Sequence, residues 1–127
     1  GRCPVCGGQI KLGVKDRVEA LANYPEPVHP DHRPPYLHLI PLGEIIRTAR
    51  GAASPGTRGC RSLYERFIDL FGNEIRVLID VPVDELAELD PTVAAAISCF
   101  RSSRVRLIPG GGGQYGSFSL EDQELPP

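Results

Sequence analysis

The sequence predicts an α+β fold, namely a small and mainly α-helical domain with two or three short β-strands. Apolar residues recur at the spacing of an amphipathic helix in four segments after residue 40. Two shorter segments, 75–81 and 105–108, are rich in β-branched residues, which favour strands. A chain of 127 residues is long enough to bury one modest hydrophobic core.

The first predicted helix covers residues 15–23. Asp16 and Glu19 have the spacing of a capping box, which satisfies backbone N–H groups at the start of a helix. The apolar side chains that follow share one face of this helix: Val18, Leu21 and Ala22.

A proline-rich segment, residues 25–35, is the strongest internal boundary. Its five prolines have no N–H and restrict the residue before each of them, so we predict an extended linker. The chain therefore divides into an N-terminal segment (1–24), this linker, a helical C-terminal domain (36–120) and an acidic tail (121–127). We expect the tail to be disordered.

The C-terminal domain is predicted to contain four helices, each with an apolar face. Their predicted first residues are Pro41, Ser62, Pro82 and Pro91. Asp90 stands directly before the last of them and has the side chain of an N-cap. Gly51 and Gly72 are expected to end the first two helices, and residues 51–60 are predicted to form a loop.

Strands are expected at 75–81 and 105–108. Apolar and polar residues alternate in the first of these, with Leu78 as the exception. Residues 36–40 are expected to form a further short extended segment. A glycine-rich loop, 109–116, follows the second strand.

The composition excludes several classes of protein. No apolar run approaches the ~20 residues of a membrane span, and no signal peptide opens the chain, so we expect a cytoplasmic protein. The net charge is −2, but the charges are segregated. Five arginines and two glutamates give residues 41–66 a charge of +3, whereas seven acids and one arginine give residues 69–90 a charge of −6.

Twelve of the 14 basic residues are arginine, a side chain that suits bidentate contacts with phosphate. An equally plain explanation is a GC-rich genome that favours arginine codons. A second basic segment, 101–106, contains three arginines and no acid. If the arginines bind phosphate, the candidates come from these two basic segments: Arg47, Arg50, Arg58, Arg61, Arg104 and Arg106.

The glycine-rich loop is a second candidate for contact with a nucleic acid. Its glycines could let a phosphate backbone approach closely, and Tyr115 offers a ring on which a base can stack. The glycines concerned are Gly110, Gly111, Gly112 and Gly113. The alternative is a flexible connector, because the loop has neither a P-loop motif nor a dinucleotide-binding fingerprint.

Cys3 and Cys6 form a Cys-Pro-x-Cys-Gly-Gly motif that is typical of half of a zinc knuckle. The alternative is a redox Cys-x-x-Cys pair. A structural zinc ion needs four ligands, so we expect the other half of the site, and the rest of a longer protein, to lie upstream. Cys60 and Cys99 are expected to be ordinary thiols.

Other constellations are less favoured. A metal site at His29, His32 and His38 lacks further ligands at a defined spacing. No set of nucleophile, base and orienting residue is visible, so the sequence does not predict a complete active site.

Four blocks together resemble the endonuclease Q family. They are the knuckle at 3–8, the segment 13–22, the segment 36–46 and the run from Val105 to Gly116. Members of that family carry an N-terminal metal domain of the polymerase-and-histidinol-phosphatase (PHP) type, then a zinc-binding region and a C-terminal helical region. They cleave DNA 5′ to deaminated bases and at abasic sites.

This chain resembles only the part after the catalytic domain, with the second of two zinc knuckles. The resemblance therefore implies a non-catalytic region that grips damaged DNA beside an upstream metal-dependent endonuclease domain, with structural zinc in an incomplete site. One alternative is a scaffold that packs on an upstream catalytic domain, PHP-type or helicase-labelled, without touching DNA. The other is a zinc-ribbon adaptor for protein partners.

Overall fold

The computed structural model describes residues 1–111 and 113–120, which divide into two compact units. The first unit comprises Gly1–Leu37 and Pro109–Gly116, and the described residues of the second are His38–Ile108 and Ser117–Leu120. The glycine-rich loop, assigned from sequence to the 36–120 domain, thus belongs to the first unit. Gly112 and the tail 121–127, predicted to be disordered, lie outside the described residues.

The described residues contain five α-helices, one π-helical turn and a two-stranded antiparallel sheet, which confirms the predicted α+β class. Helix α1 is Val14–Leu21, in the first unit. The helices of the second unit are α2 (Leu42–Arg50), α3 (Arg58–Phe71), α4 (Val83–Leu89) and α5 (Pro91–Arg101). None of these helices is both long and apolar enough to cross a membrane.

Helix α3 starts one turn earlier than predicted, at Arg58 instead of Ser62. Cys60 is buried on the same face as Leu63 and Phe67. The apolar face of the helix therefore begins at Cys60, within the segment predicted to be a loop. The start of helix α1 also differs from the prediction, because Asp16 is the third residue of the helix and not its N-cap. Its carboxylate accepts a hydrogen bond from the Gly13 N–H at 2.8 Å.

The predicted strand at 75–81 is wrong, since Arg76–Asp80 form a π-helical turn. Val77, Leu78 and Val81 are the buried residues of this segment, and their spacing is helical. Leu78 was the exception to the alternation, and its burial in the core favours the helical conformation. Arg101 completes the turn by donating from Nε to the Leu78 carbonyl and from Nη2 to the Val77 carbonyl, both at 2.9 Å. Burial lowers the pKa of the Arg101 guanidinium, and the charge of Asp80 opposes this shift.

The second predicted strand is confirmed as β1, Val105–Ile108. It pairs antiparallel with β2, Ser117–Leu120, with Val105 opposite Leu120 and Ile108 opposite Ser117. The segment 36–40, expected to be extended, is not part of this sheet.

One hydrophobic core holds the second unit together. Helices α2 and α5 contribute its centre, with α3, α4 and the π-helical turn around them. The largest fully buried side chains are Leu42, Ile45, Ile46, Phe67, Val77, Leu78, Leu86, Val93 and Ile97. The predicted N-cap at Asp90 is confirmed, because its Oδ1 accepts a hydrogen bond from the Val93 N–H at 3.0 Å.

Glu74 ties the start of α2 to α3. Its Oε1 accepts a hydrogen bond from the Leu42 N–H at 2.6 Å, and its Oε2 accepts one from the Tyr64 hydroxyl at 3.2 Å. Helix α2 begins after Pro41, which has no side-chain acceptor, so a carboxylate 32 residues away does the work of an N-cap. Burial of Tyr64, together with the charge of Glu74, raises the pKa of the tyrosine hydroxyl.

We expect Glu74→Ala to lower the free energy of unfolding by ~1–2 kcal/mol, the usual cost of losing a helix cap. Urea denaturation followed by circular dichroism measures the change. Glu65→Ala, which removes an exposed carboxylate on α3, is the matched control and should change stability by less than ~0.5 kcal/mol. Equal effects of the two substitutions would contradict this role of Glu74.

Candidate nucleic-acid interface

The first residues fold into a tight knuckle. The Cys3 N–H donates to the Gly8 carbonyl at 2.8 Å, and the Gly7 N–H donates to the Cys3 carbonyl at 2.9 Å. Gly7 has a φ of 69°, a conformation that favours glycine. A backbone bridge between Arg2 and Gln9 closes the knuckle.

The two cysteines of this turn are close to each other, with Cys6 exposed and Cys3 partly exposed. The backbone N–H groups of Cys6 and Val5 donate to the Cys3 sulfur, and the Cys6 thiol contacts it as well. These hydrogen bonds lower the pKa of the Cys3 thiol, so they favour the thiolate that binds metal. The pair therefore fits two of the four positions of a tetrahedral zinc site.

The described part of the chain has no group of three or more cysteine, histidine or acidic residues that could hold a metal ion. Cys60 and Cys99 are both buried in the core of the second unit. His29 donates from Nε2 to the Arg33 carbonyl at 3.0 Å, and its ring packs against Tyr36 with the centroids 5.4 Å apart. Zinc binding stays a prediction.

Arg58 and Arg61 lie on the first turns of α3 and are both exposed. Together with Gly56, Ser62 and Glu65 they line a shallow groove of about 430 Å³. Neither arginine has an ion-pair partner among the residues that the structure describes. Their guanidinium groups are thus available to an anion from solution.

The position of these two arginines opposes the dipole of the helix. The N-terminal end of α3 carries a partial positive charge, and the first turn contains no acidic residue to balance it. Cations at this end cost about 0.3–1 kcal/mol each at low salt. The pair therefore lowers the stability of the helix and is not explained by the fold.

The other arginines of the predicted set have different surroundings. Arg47 forms an ion pair with Glu44 at 2.8 Å, and Arg50 forms one with Asp90 at 3.5 Å. Arg104 and Arg106 are exposed, the first just before β1 and the second within it, where Arg106 lies opposite Ser119.

The glycine-rich loop of the first unit is a tight turn. Gly111 and Gln114 exchange backbone hydrogen bonds at 3.1 and 3.0 Å, so these two N–H groups are not available to a phosphate. A Cβ on Gly110 would collide with the Gln114 carbonyl, which explains a glycine there. Gly113 has a φ of 86°. The turn leaves Tyr115 fully exposed (100%).

Within the same unit, this loop lines a groove of about 1020 Å³ with the start of α1. Lys11 and Lys15 lie on the opposite wall, together with Asp16, whose carboxylate is bound to the Gly13 N–H. These lysines were not among the residues predicted from sequence to bind phosphate. The sequence offered one indication of their role, since they are the two lysines of the chain and lie on either side of Gly13, which precedes α1.

Comparisons with known proteins agree with the resemblance seen in the sequence. A family model, the MJ0043 C-terminal domain, matches residues 41–104. The protein MJ0043 of Methanocaldococcus jannaschii is 46% identical over 124 residues, which are 98% of this chain and 16% of MJ0043. YqxK of Bacillus subtilis is 35% identical over 118 residues, which are 91% of this chain and 27% of YqxK.

Two solved structures are similar throughout. The lesion-specific endonuclease PfuEndoQ from Pyrococcus furiosus is 44% identical, with a TM-score of 0.77, and the match covers 94% of this chain and 29% of that one. Endonuclease Q in complex with a 27-mer duplex substrate, with an abasic lesion at its active site, is 43% identical, with a TM-score of 0.78 and coverage of 95% and 30%. The chain thus spans less than a third of each of these relatives.

The resemblance to endonuclease Q is therefore confirmed. Because the family model covers 64 of the 127 residues, the chain belongs to the MJ0043 C-terminal domain family.

Proposed function

We propose that this chain is a non-catalytic, DNA-gripping region of an endonuclease Q-like nuclease that cleaves DNA 5′ to deaminated bases. The observation that carries the proposal is the pair Arg58 and Arg61, exposed, unpaired within the described residues and placed against the dipole of α3. A relative 43% identical to this chain has been solved with a DNA duplex, which supports DNA as the partner.

The chemistry of the pair suits a phosphate. Two guanidinium groups one helical turn apart can donate bidentate hydrogen bonds to one phosphate or to two neighbouring ones. The first backbone N–H groups of α3 lie beside them and add donors of the kind that bind anions at helix N-termini. Such contacts position the duplex without reading its sequence.

The groove beside the glycine-rich loop is the second proposed contact. Lys11 supplies positive charge, and Tyr115 supplies an exposed ring for stacking. Lys15 lines the same groove and forms an ion pair with Glu19 at 3.8 Å; the pair is exposed and contributes little to stability, so a phosphate can replace the glutamate. Arg104 and Arg106 are further proposed contacts. Arg47 and Arg50 are ion-paired within the fold, so the proposal gives them a structural role.

Zinc belongs to the proposal as a structural ion. Cys3 and Cys6 would hold it, with two further ligands from outside the described residues, and it would order the knuckle beside an upstream catalytic domain of the PHP type. Cleavage would be the task of that domain, since the sequence of this chain does not predict a complete active site. A cytoplasmic location remains a prediction.

One observation favours the scaffold alternative. If the domain only packed on a catalytic domain, its arginines would pair with the acids of 69–90, and Arg50 does pair with Asp90. The alternative leaves Arg58 and Arg61 without a role. The zinc-ribbon adaptor has no comparable observation in its favour.

We expect the double substitution Arg58→Gln and Arg61→Gln to weaken binding of a labelled duplex that contains an abasic site. The salt dependence, as the slope of log K against log[salt], should fall by about one unit for each lost phosphate contact. The melting temperature should stay equal or rise, because cations leave the positive end of a helix. Titration at two salt concentrations and a thermal melt measure both quantities.

Arg66→Gln is the matched control for this pair, because it removes an exposed arginine from the middle of the same helix. It should retain more affinity than the double variant. Unchanged affinity and slope in the double variant would favour the scaffold.

Tyr115→Ala should weaken binding of the same duplex by ~1–3 kcal/mol if the ring stacks on a base. Tyr115→Phe keeps the ring and should bind almost as tightly as the original chain. The tyrosine is fully exposed, so neither substitution should alter the melt. A loss of the same size in both variants would rule out stacking.

The isolated chain should bind zinc weakly, or share one ion between two copies, because it brings two thiolates to a four-coordinate metal. Competition with a chromophoric chelator, together with sedimentation in the presence of zinc, separates these results. Cys3→Ser should abolish binding, and Cys60→Ala should not. One tightly held zinc per monomer, with every ligand from one chain, would refute the half-site.

A further inference from the structure

A groove of about 430 Å³ at the C-terminal end of α3 has no role in the proposed function. Its apolar floor comes from Leu70 and Phe71 at the end of α3 and from Val81 and Pro82 before α4. Its charged rim is formed by Asp80, Glu85 and Glu88, with Arg76 as the single cation. We call it the acidic groove.

The floor of the acidic groove continues the hydrophobic core onto the surface. Leu63 and Phe67 of α3 are buried, and the same stripe then reaches Leu70, which is 63% exposed, and Phe71, which is half-buried. The sequence pattern places Leu70 on the core face, yet no described residue covers it. Apolar surface left open on such a stripe gains free energy when a partner covers it.

The fold explains only part of the rim. Asp80 favours the charged form of Arg101, and Glu85 lies in the first turn of α4, where a carboxylate is favourable. Glu88 lies in the last turn of α4, near the negative end of that helix, where a carboxylate is unfavourable. Glu85 and Glu88 have no ion-pair partner among the described residues. Three carboxylates and one guanidinium around the floor repel DNA and attract a positively charged ligand.

We propose that the acidic groove binds a cationic amphipathic segment of a protein partner. Apolar side chains of that segment would lie on Leu70 and Phe71, and its lysines or arginines would pair with Glu85 and Glu88. This is the arrangement of other interfaces in which an apolar centre is surrounded by a charged rim. Complementary charge would speed association and set the orientation of the segment.

This partner and DNA would bind at opposite ends of α3. A helix of 14 residues is about 20 Å long, so the acidic groove is separated from Arg58 by that distance along the helix. The two ligands would therefore not compete for the same residues. The inference stands apart from the proposed DNA contact, because neither Arg58 nor Arg61 belongs to the acidic groove.

The test uses the whole 127-residue chain and a synthetic amphipathic peptide in which pairs of leucines alternate with arginines. Titration followed by two-dimensional NMR should shift the backbone amides of Leu70, Phe71, Val81 and Glu85 first. A peptide with glutamate in place of arginine should not bind. The double substitution Glu85→Lys and Glu88→Lys should weaken binding by about tenfold, the effect of two lost charge pairs and the new repulsion.

Two further variants keep the test specific. Leu70→Ser should also weaken binding, because it removes the apolar contact without changing the charge. Asp84→Lys is the control, since Asp84 lies on α4 but does not line the groove. Asp84→Lys should weaken peptide binding less than the single substitution Glu88→Lys does.

The proposal is overturned if the arginine peptide causes no shift, or if its shifts spread evenly over all acidic residues and Asp84→Lys weakens binding as much as Glu88→Lys. It is also overturned if Leu70→Ser binds as tightly as the original chain. A thermal melt of each variant confirms that the compared chains are folded.

Discussion

The carboxylate of Glu74 is the contact on which the arrangement of the second unit depends. It accepts hydrogen bonds from the first N–H of α2 and from the hydroxyl of Tyr64 on α3, and it lies two residues before the π-helical turn. Three elements therefore meet at one side chain. The apolar faces of α2, α3 and α5 supply most of the burial, but burial has no direction, and the hydrogen bonds of Glu74 fix where α2 begins.

Local signals predicted the parts of the fold in which sequence and packing agree. Pro41 and Asp90 mark the starts of α2 and α5, and the apolar spacing between each start and end is helical. The segment 75–81 was mispredicted because its β-branched residues favour a strand, whereas burial of Val77, Leu78 and Val81 requires helical spacing. The capping role of Glu74 could not be predicted, because its partner is 32 residues away.

The residues of the candidate site also depend on contacts that are distant in the sequence. From sequence, the arginines of the basic segments were equivalent, and the fold separates them. Arg50 forms an ion pair with Asp90, and Arg101 donates hydrogen bonds to two backbone carbonyls. Arg58 and Arg61 instead lie at the N-terminal end of α3, where the helix dipole disfavours a positive charge. Such placement lowers stability, and proteins commonly accept that cost at surfaces that bind a ligand. Lys11 and Lys15 were missed because the loop that faces them is about 100 residues away in the chain.

Hydrogen–deuterium exchange of the chain, with and without a duplex that contains an abasic site, tests the central claim most directly. The claim is that α3 meets DNA with its N-terminal end. The account predicts slower exchange at the amides of residues 58–62 and in the groove that contains Lys11 and Lys15, with no change at 80–88. Protection confined to 69–90, or no protection anywhere at a duplex concentration that saturates binding, would contradict it.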